Sequence, residues 1–289
     1  MPKSGKTDKN RWQVMPQDAG MPLQDFLAVK MGVSKRVAKQ HIDARAAWVN
    51  DRCVWMARHS LKKGDSVMIS KAVDSPTARS KAPASLPVLY EDEDYIVIDK
   101  PAGLLSNESD TSAESVVRVQ TGNGELRAVH RLDRDTTGCL LMAKSAAAKE
   151  AAISIFKEHR ISKTYRAIVH NRWDAESTTL MLPIEGERAL TNVSCVKAND
   201  TASYRVVRLE TGRTHQIRKH LAMARHPIAG DRQYGPKEIE SGLFRSIPRP
   251  MLHSVELMLD HPMHPGRMIK VFAPVPLDFH RALRALSLE

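Results

Sequence analysis

Apolar residues in the first part of the chain recur at helical spacing and then at strand spacing. The first helical face follows Pro22, which suits the first turn of a helix, and consists of Leu23, Phe26, Leu27 and Met31. Ser34 is a favourable N-cap for a second helix over residues 35–44. Turns at 48–51 and 63–65 precede a strand that contains Val67 and Ile69. The pattern predicts a small helix–helix–hairpin unit.

A change of composition separates this unit from the rest of the chain. Residues 72–85 read AVDSPTARSKAPAS, which is rich in Ala, Ser and Pro and poor in large apolar side chains. That composition is typical of a linker between domains. We therefore expect a small domain over residues 12–71, a linker over 72–85 and a larger domain over 86–289.

Strands and helices alternate irregularly in the larger domain. Apolar runs or alternating residues predict strands at 95–98, 139–143, 164–169, 204–209 and around 269–271. Ser145 is the predicted N-cap of a helix that buries Ile153 and Phe156, and Thr214 is the predicted N-cap of a helix through Leu221. A last helix should start around Pro276. Clustered strands with interspersed helices indicate an α+β fold rather than a regular βαβ winding.

The charge balance favours a polyanionic partner. The 289 residues include 44 Lys and Arg against 33 Asp and Glu, a formal net charge of +11, and basic proteins gain affinity for nucleic acids through counterion release. Between Lys30 and Lys63, nine Lys and Arg residues accompany two Asp residues. Lys35, Arg36 and Lys39 lie on the polar face of the second predicted helix. A solvated helix face is the alternative interpretation, but this density favours binding of RNA or DNA.

Several classes of protein are excluded by absent motifs. The sequence contains no P-loop, no complete dinucleotide fingerprint, no H-E-x-x-H site and no nucleophile elbow. Cys53, Cys139 and Cys195 form no C-x-x-C pair, and prolines beside His261 and His264 prevent a helical metal pair. We therefore expect neither a metal nor a cofactor. No apolar run approaches the roughly 20 residues of a membrane span, and no secretory signal follows the basic N-terminus, so we expect a cytoplasmic protein.

Two segments carry candidate chemistry. Residues 128–145 read AVHRLDRDTTGCLLMAKS and place Asp133 and Asp135 among arginines, before an apolar strand. These carboxylates either pair with the arginines at the surface or include one that is held ionised as a nucleophile or base. Residues 211–235 read TGRTHQIRKHLAMARHPIAGDRQYG, with Arg213 and Arg218 around a helix start. This helix is either an ordinary amphipathic element or part of a site.

Taken together, these segments resemble the RluA-type pseudouridine synthases from about Pro87 to Phe279. The matching motifs occur in family order: YEDEDYIVIDKPAGLLS, HRLDRDTTG, KTYRAIV, GRTHQIRKHLAMARHPIAGDRQYG and LHSVELMLDHP. Thr137 and Cys139 stand where Ser and Leu are more usual in the family, and neither is at a reacting position. The first unit, over residues 21–70, is similar to the S-four-type RNA-binding module through VSKRVAKQHI and KKGDSVMI.

The resemblance implies a fold, a reaction and a set of site residues. The fold is a central mixed, largely antiparallel sheet with an active-site cleft across it, and the reaction is isomerisation of uridine to pseudouridine in RNA without cofactor or metal. The roles implied are a catalytic carboxylate for Asp133, contact with uracil for Tyr165, an ion pair with the carboxylate for Arg218, replacement of the extruded base for Arg131, and a pocket wall for Ile217. We also assign Arg213 to RNA contact.

The RNA target stays open at this point. Large-subunit ribosomal RNA is favoured because a basic module accompanies such enzymes in the family, and transfer RNA is the alternative. A catalytically inactive RNA-binding or ribosome-assembly protein of the same fold is a further alternative, as is a glycoside hydrolase that uses Asp133 with a second carboxylate. We expect a monomer.

Overall fold

The computed structural model divides the chain into two compact units, between Ala78 and Arg79. The described residues are 10–43, 46–50, 52–54, 56–69, 83–107, 109–158, 160–236 and 242–289. The predicted linker at 72–85 lies outside the described residues except for 83–85. No helix in these described ranges is long and apolar enough to cross a membrane.

The first unit packs two helices and a 3-10 helix against a small antiparallel sheet. Its described elements are β1 (Arg11–Gln13), the 3-10 helix (Pro16–Asp18), α1 (Leu23–Met31), α2 (Lys35–Asp43), β2 (Ala47–Val49), β3 (Arg52–Cys53) and β4 (Ser66–Ile69), with strand order β1-β4-β2-β3. Pro22 precedes α1, and the Ser34 hydroxyl accepts a hydrogen bond from the Val37 backbone N–H in α2 at 3.3 Å. Both predicted helix starts are confirmed.

The second unit is built on one large sheet. Its described strands are β5 (Val88–Glu91), β6 (Tyr95–Lys100), β7 (Arg127–Ala128), β8 (Thr137–Ala143), β9 (Ile161–His170), β10 (Ser177–Leu180), β11 (Thr191–Ala198), β12 (Ala202–Leu209), β13 (Leu252–Asp260) and β14 (Met268–Phe272). The main order is β10-β11-β12-β9-β13-β8-β6-β5, with β14 on β13 and β7 on β8. Only the β8–β13 pair is parallel among these described pairings. The predicted mixed, largely antiparallel α+β fold is confirmed.

Helices cover this sheet: α3 (Ala113–Thr121), α4 (Ala146–Lys157), α5 (Gln216–Met223), α6 (Gly242–Arg245) and α7 (Leu277–Ala285). Ser145 caps α4 by accepting the Ala148 N–H at 3.1 Å, as predicted. The predicted buried side of α4 is wrong for Ile153, which is only half-buried, whereas Phe156, also half-buried, packs against a buried cluster of the sheet. The buried residues are Ala148, Ala152 and Ile155. Small alanine side chains let a helix lie close to a sheet, so burial here does not follow side-chain size.

The start of α5 differs by one residue from the prediction. Thr214 is exposed and does not cap the helix, which begins after His215. His215 has a φ of 56°, in the left-handed region, and this residue separates Thr214 from the first helical turn. The Gln216 side chain instead organises the turn, because its Oε1 accepts the Arg213 N–H at 3.0 Å.

Hydrophobic side chains cover both faces of the sheet. On β6, Ile96 and Ile98 enter one buried cluster while Tyr95 and Val97 enter another. This arrangement explains the unbroken apolar run of the strand, because a strand that is buried on both faces has no polar side. β8 lies between β6 and β13 and makes its close approach to β13 at Gly138. The φ there is +107°, and a Cβ atom would lie 2.1 Å from the Ser254 carbonyl oxygen, so only glycine fits.

Candidate active site

Asp133 lies in the loop of residues 130–136, which leads into the first residue of β8. Hydrogen bonds and a buried side chain anchor this loop. The His130 Nε2 accepts the Leu141 N–H at 3.1 Å, and burial lowers the pKa of His130 to about 3, so the ring is a neutral acceptor. The Leu132 side chain is buried, and its backbone exchanges two hydrogen bonds with the Ser106 hydroxyl, at 2.8 and 2.9 Å. Asp133 follows these anchors with a side chain that is 25% exposed.

Lys100 fixes the other side of the loop. Its side chain is fully buried, and Nζ donates to three backbone carbonyl oxygens: Pro101 at 2.9 Å, Leu104 at 2.7 Å and Arg134 at 2.9 Å. Burial lowers the pKa of Lys100 to about 7, although the charges of Asp135 and Asp133 oppose this shift. These three hydrogen bonds tie the end of β6 to the residue that follows Asp133.

Arg218 on α5 joins the carboxylate of Asp133 to a second carboxylate. Nη1 donates to Asp133 Oδ2 at 3.1 Å, while Nε and Nη2 donate to the two oxygens of Asp231 at 2.6 and 2.9 Å. Nη2 also donates to the Gln233 Oε1 at 3.0 Å. This guanidinium is 6% exposed and the Asp231 side chain is fully buried. The bidentate contact with Asp231 thus aims the remaining donor at Asp133.

The charges of this network support one another. Burial lowers the pKa of Arg218, but the hydrogen bonds and charge of Asp231 and the charge of Asp133 raise it above its ordinary value. Burial raises the pKa of Asp231, but the Arg218 contact and two backbone N–H groups outweigh it and hold that pKa below its ordinary value. Arg218 is therefore charged at neutral pH, as the partner of two carboxylates.

Two aromatic side chains complete the surroundings of Asp133. His215 places Nε2 at 3.6 Å from Asp133 Oδ1 and Nδ1 at 2.9 Å from the hydroxyl of Tyr234. The Arg218 guanidinium lies over the ring of Tyr234, 4.9 Å from its centroid.

Tyr165 of β9 is 5% exposed and pairs with Ser254 of β13. Burial raises the pKa of Tyr165, and the nearby charge of Asp133 raises it further, while a hydrogen bond with Ser254 opposes the shift. Its hydroxyl therefore stays protonated at neutral pH, and Tyr165 presents a neutral aromatic surface in the neighbourhood of Asp133.

The other sequence-predicted residues occupy different places. Ile217 is buried in the main hydrophobic cluster, at 4% exposure, next to Arg218 in the chain. Arg131 is exposed on the loop of Asp133, and Arg213 is exposed and paired with Glu187. The second helix of the first unit carries three exposed basic residues, Lys35, Arg36 and Lys39. Lys35 also forms a 3.0 Å ion pair with Asp25. The structure thus joins Asp133 and Arg218 in one hydrogen-bonded network, places Tyr165 within range of the charge of Asp133, and places the basic residues of α2 in the first unit.

One cluster in the described part of the chain has the composition of a metal site. Its ligand atoms belong to Asp94, His261 and His264 and lie within 4.8 Å of one another. The His261 Nδ1 accepts the N–H groups of Met263 and His264, at 3.2 and 3.1 Å, and Nε2 lies 2.9 Å from Asp92 Oδ2. Both ring nitrogens are therefore engaged. This chemistry favours a cross-link between the β5–β6 turn and the β13–β14 loop, and His261 offers no free lone pair.

Sequence reasoning missed three functional contacts of this site. Asp231 and Tyr234 lie in the quoted segment HPIAGDRQYG, and Lys100 ends the strand before Pro101. The signal was present in the motifs, because each of these polar residues lies within a segment that resembles the family. The partners could not be read from spacing, since Asp231 is 13 positions from Arg218, Tyr234 is 19 from His215 and Arg134 is 34 from Lys100. As a whole, the site offers a partly exposed carboxylate, held by a buried guanidinium, for attack or proton transfer.

Comparison with known proteins supports the family that the sequence motifs resemble. Residues 94–223 match the family model described as RNA pseudouridylate synthase. Ribosomal large subunit pseudouridine synthase D of Haemophilus influenzae is 31% identical, over 96% of this chain and 94% of that protein. Ribosomal large subunit pseudouridine synthase C of Salmonella typhi is 30% identical, over 94% of this chain and 95% of that protein.

The solved structures agree in fold. Human RNA Pseudouridylate Synthase Domain Containing 1 superposes with a TM-score of 0.56 at 26% identity, over 66% of this chain and 84% of that chain. Human RNA Pseudouridylate Synthase Domain Containing 4 superposes with a TM-score of 0.60 at 21% identity, over 70% of this chain and 94% of that chain. With relatives that match almost its whole length, this chain belongs to the RNA pseudouridylate synthase family.

Proposed function

We propose that this enzyme isomerises uridines of large-subunit ribosomal RNA and that Asp133 is the reacting carboxylate. The observation that carries the proposal is the 3.1 Å hydrogen bond from Arg218 to Asp133, at the partly exposed end of an otherwise buried network. The ribosomal target is supported by the names of the relatives from Haemophilus influenzae and Salmonella typhi. The compartment that fits this substrate is the cytoplasm.

The reaction needs no change of oxidation state. The bond between the sugar carbon C1′ and the base nitrogen N1 breaks, the uracil turns, and C1′ joins C5; the hydrogen of C5 leaves as a proton, and N1 gains one. An ionised carboxylate can attack or assist this exchange. The Arg218 guanidinium holds Oδ2 of Asp133 through a charged hydrogen bond, which fixes the position of this carboxylate. Oδ1 remains outside the guanidinium fork and is the oxygen we assign to the reaction.

The substrate base must leave its helix to reach Asp133. Extrusion of a base costs a few kcal/mol and favours uridines in loops or distorted helices. We assign the buried aromatic surface of Tyr165 to contact with the uracil. Ile217, which precedes Arg218 in the chain, is assigned to the apolar wall of the pocket. Arg131 is exposed on the loop of Asp133, where its side chain can enter the gap that the base leaves.

The first unit is assigned to RNA binding, as an S-four-type module over residues 12–71. Its helix α2 presents Lys35, Arg36 and Lys39 at the surface, and such side chains bind phosphates with little regard to sequence. Arg213, exposed near the start of α5, would contact the same RNA near the active site. In this proposal the enzyme acts as a monomer, without metal or cofactor, and keeps full activity after exhaustive dialysis against EDTA.

The proposal is tested by mapping pseudouridines in ribosomal and transfer RNA of cells with and without this gene. Deletion should remove one or more pseudouridines from large-subunit ribosomal RNA, and the wild-type gene should restore them. A gene that encodes Asp133→Asn should not restore them. Loss of sites only from transfer RNA would overturn the ribosomal target, and loss from neither RNA would overturn the proposed substrate class.

A further inference from the structure

His215 holds an unusual backbone conformation directly beside the proposed reacting carboxylate. Its φ of 56° lies in the left-handed region, and the residue stands immediately before α5, which carries Arg218. This region is unfavourable for a non-glycine residue unless the surroundings impose it, and such residues cluster at functional sites. The conformation puts the imidazole between Asp133 and Tyr234, where it is 27% exposed.

The hydrogen bond with Tyr234 couples the tautomer of His215 to the direction in which the Tyr234 hydroxyl donates. The Tyr234 hydroxyl lies 2.9 Å from His215 Nδ1, and burial raises the pKa of Tyr234 to about 12, so the hydroxyl keeps its proton. If the hydroxyl donates to Nδ1, the proton of a neutral imidazole is on Nε2. Nε2 is the nitrogen that faces Asp133 Oδ1 at 3.6 Å, and an N–H dipole is favourable there.

The imidazole is neutral at pH 7, because burial and two neighbouring cations disfavour its protonated form more than the nearby carboxylates favour it. Burial lowers the pKa of His215, and the charges of Arg218 and Lys219 on α5 lower it further. Asp133 from the 130–136 loop and Asp231 from the segment after α5 raise it but do not reverse the shift. The groups that face His215 are Asp133, Asp231, Tyr234, Arg218, Lys219 and Glu185, which lies between β10 and β11 and is paired with Lys219 at 2.6 Å.

We propose that His215 is a positioning residue, whose Nε2–H, directed by Tyr234, holds Oδ1 of Asp133 while Arg218 holds Oδ2. This inference rests on the proposed role of Asp133. The 3.6 Å separation closes to a hydrogen bond when RNA fills the site, as catalytic contacts that are long in the free enzyme often do. Because His215 holds Oδ1 and Arg218 holds Oδ2, the plane of the Asp133 carboxylate is fixed relative to the sugar or base of the substrate. Protonation of His215 at acid pH replaces the dipole by a cation, which draws Oδ1 into an ion pair and slows the reaction.

Two substitutions at His215 separate positioning from folding. Asparagine places its amide near the position of Nδ1, keeps reach to Tyr234 and tolerates the left-handed region well, but it is too short to reach Asp133. Glutamine extends its amide nitrogen to the distance of Nε2 and does not titrate. Tyr234→Phe removes only the hydroxyl that directs the tautomer. His280→Asn, at an exposed position on α7, is the matched control.

The assay uses the full chain in excess over total RNA, labelled with [5-³H]uridine and taken from cells that lack the gene. Release of tritium from C5 gives the single-turnover rate between about pH 5 and 8, and filter binding gives the RNA Kd. His215→Asn should lower the rate on the order of 10²-fold, as a misplaced reacting group does, with an unchanged Kd. His215→Gln should recover most of that rate and lose the decline that wild type shows at acid pH. The rate of Tyr234→Phe should lie between the rates of His215→Asn and wild type, and the rate of His280→Asn should equal that of wild type.

Each possible result decides the inference. A wild-type rate for His215→Asn overturns the inference. An equal loss of rate in His215→Asn and His215→Gln, with the decline at acid pH retained, also overturns it, because a purely structural role of His215 gives that result. If His215→Asn fails to fold, an unchanged rate and pH profile in Tyr234→Phe overturns the inference. Asp133→Asn is measured in parallel. Turnover by that variant would refute the proposed catalytic role of Asp133, whatever the His215 variants do, so the two failures are distinguishable.

Discussion

The buried contact between Arg218 and Asp231 leads to a stability prediction that does not depend on catalysis. The Asp231 carboxylate accepts four hydrogen bonds: from Arg218 Nε at 2.6 Å, Arg218 Nη2 at 2.9 Å, the Gln233 backbone N–H at 2.9 Å and the Tyr234 backbone N–H at 3.2 Å. Asp231→Asn preserves the shape of the side chain, removes its charge and turns one acceptor oxygen into a donor. The substitution therefore leaves a buried guanidinium without its main partner.

The expected loss follows from the type of contact. Hydrogen bonds to charged groups contribute about 1.5–3 kcal/mol each, so the two from Arg218 amount to about 3–6 kcal/mol. Removing one partner of a buried ion pair costs about 3–5 kcal/mol in comparable proteins. We therefore expect Asp231→Asn to lower the free energy of unfolding of the larger unit by about 4 kcal/mol at neutral pH.

Urea unfolding at several pH values measures this loss, with Asp135→Asn as the control. The control should change the free energy of unfolding by less than about 1 kcal/mol. The pKa of Asp231 is lower in the folded state than in the unfolded state, so its stabilisation is complete above about pH 4 and is lost as the pH falls further. The gap between wild type and Asp231→Asn should shrink in the same window. Two results would refute the reasoning: a loss of unfolding free energy in Asp231→Asn no larger than in Asp135→Asn, or a difference between wild type and Asp231→Asn that does not change with pH.

Four further substitutions test other contacts. Lys100→Met removes the donor of three carbonyl groups, of which that of Leu104 is buried and costs about 1–3 kcal/mol when it is left without a partner. Urea unfolding should show this loss. As the pH increases beyond 7, the free energy of unfolding of the wild type should increase, because the pKa of Lys100 is about 7 in the folded state and higher in the unfolded state. This increase should be absent in Lys100→Met. Arg218→Lys keeps the charge but not the planar fork, so tritium release should slow by about 10²-fold at unchanged RNA Kd. Lys35→Ala and Arg36→Ala should each lower the salt slope of RNA binding by about one in filter binding, with the rate at saturating enzyme unchanged.

Elements with a strong local signal could be predicted from the sequence. The run from Tyr95 to Ile98 predicted a strand, and the structure places one at Tyr95–Lys100, buried on both faces. Ser34 and Ser145 predicted helix starts because a hydroxyl satisfies a free N–H group in the first turn. Strand β1 escaped prediction because Trp12 is its only large apolar residue, which leaves no alternation to detect.

Features that depend on contacts between distant segments could not be predicted. Thr214 fits the cap preference, but the left-handed conformation of His215 next to it moves the helix start, and its ring contacts residues 82 and 19 positions away. Ile153 has the size of a core residue, yet α4 approaches the sheet through Ala148 and Ala152. The place of Asp133 and Arg218 in the site came from the family resemblance. The contacts of Asp231 and Lys100 became visible only when their partners were placed beside them.

The central claim, that Asp133 is the reacting carboxylate, is tested most directly by tritium release from Asp133→Asn and Asp135→Asn. The two residues lie two positions apart in one loop, and both substitutions remove one negative charge with little change of shape. Of these two carboxylates, only Asp133 accepts a hydrogen bond from Arg218 in the described structure. The account predicts no turnover by Asp133→Asn, because an amide is a poor nucleophile and base, and near wild-type turnover by Asp135→Asn. Turnover retained by Asp133→Asn and abolished in Asp135→Asn would contradict it.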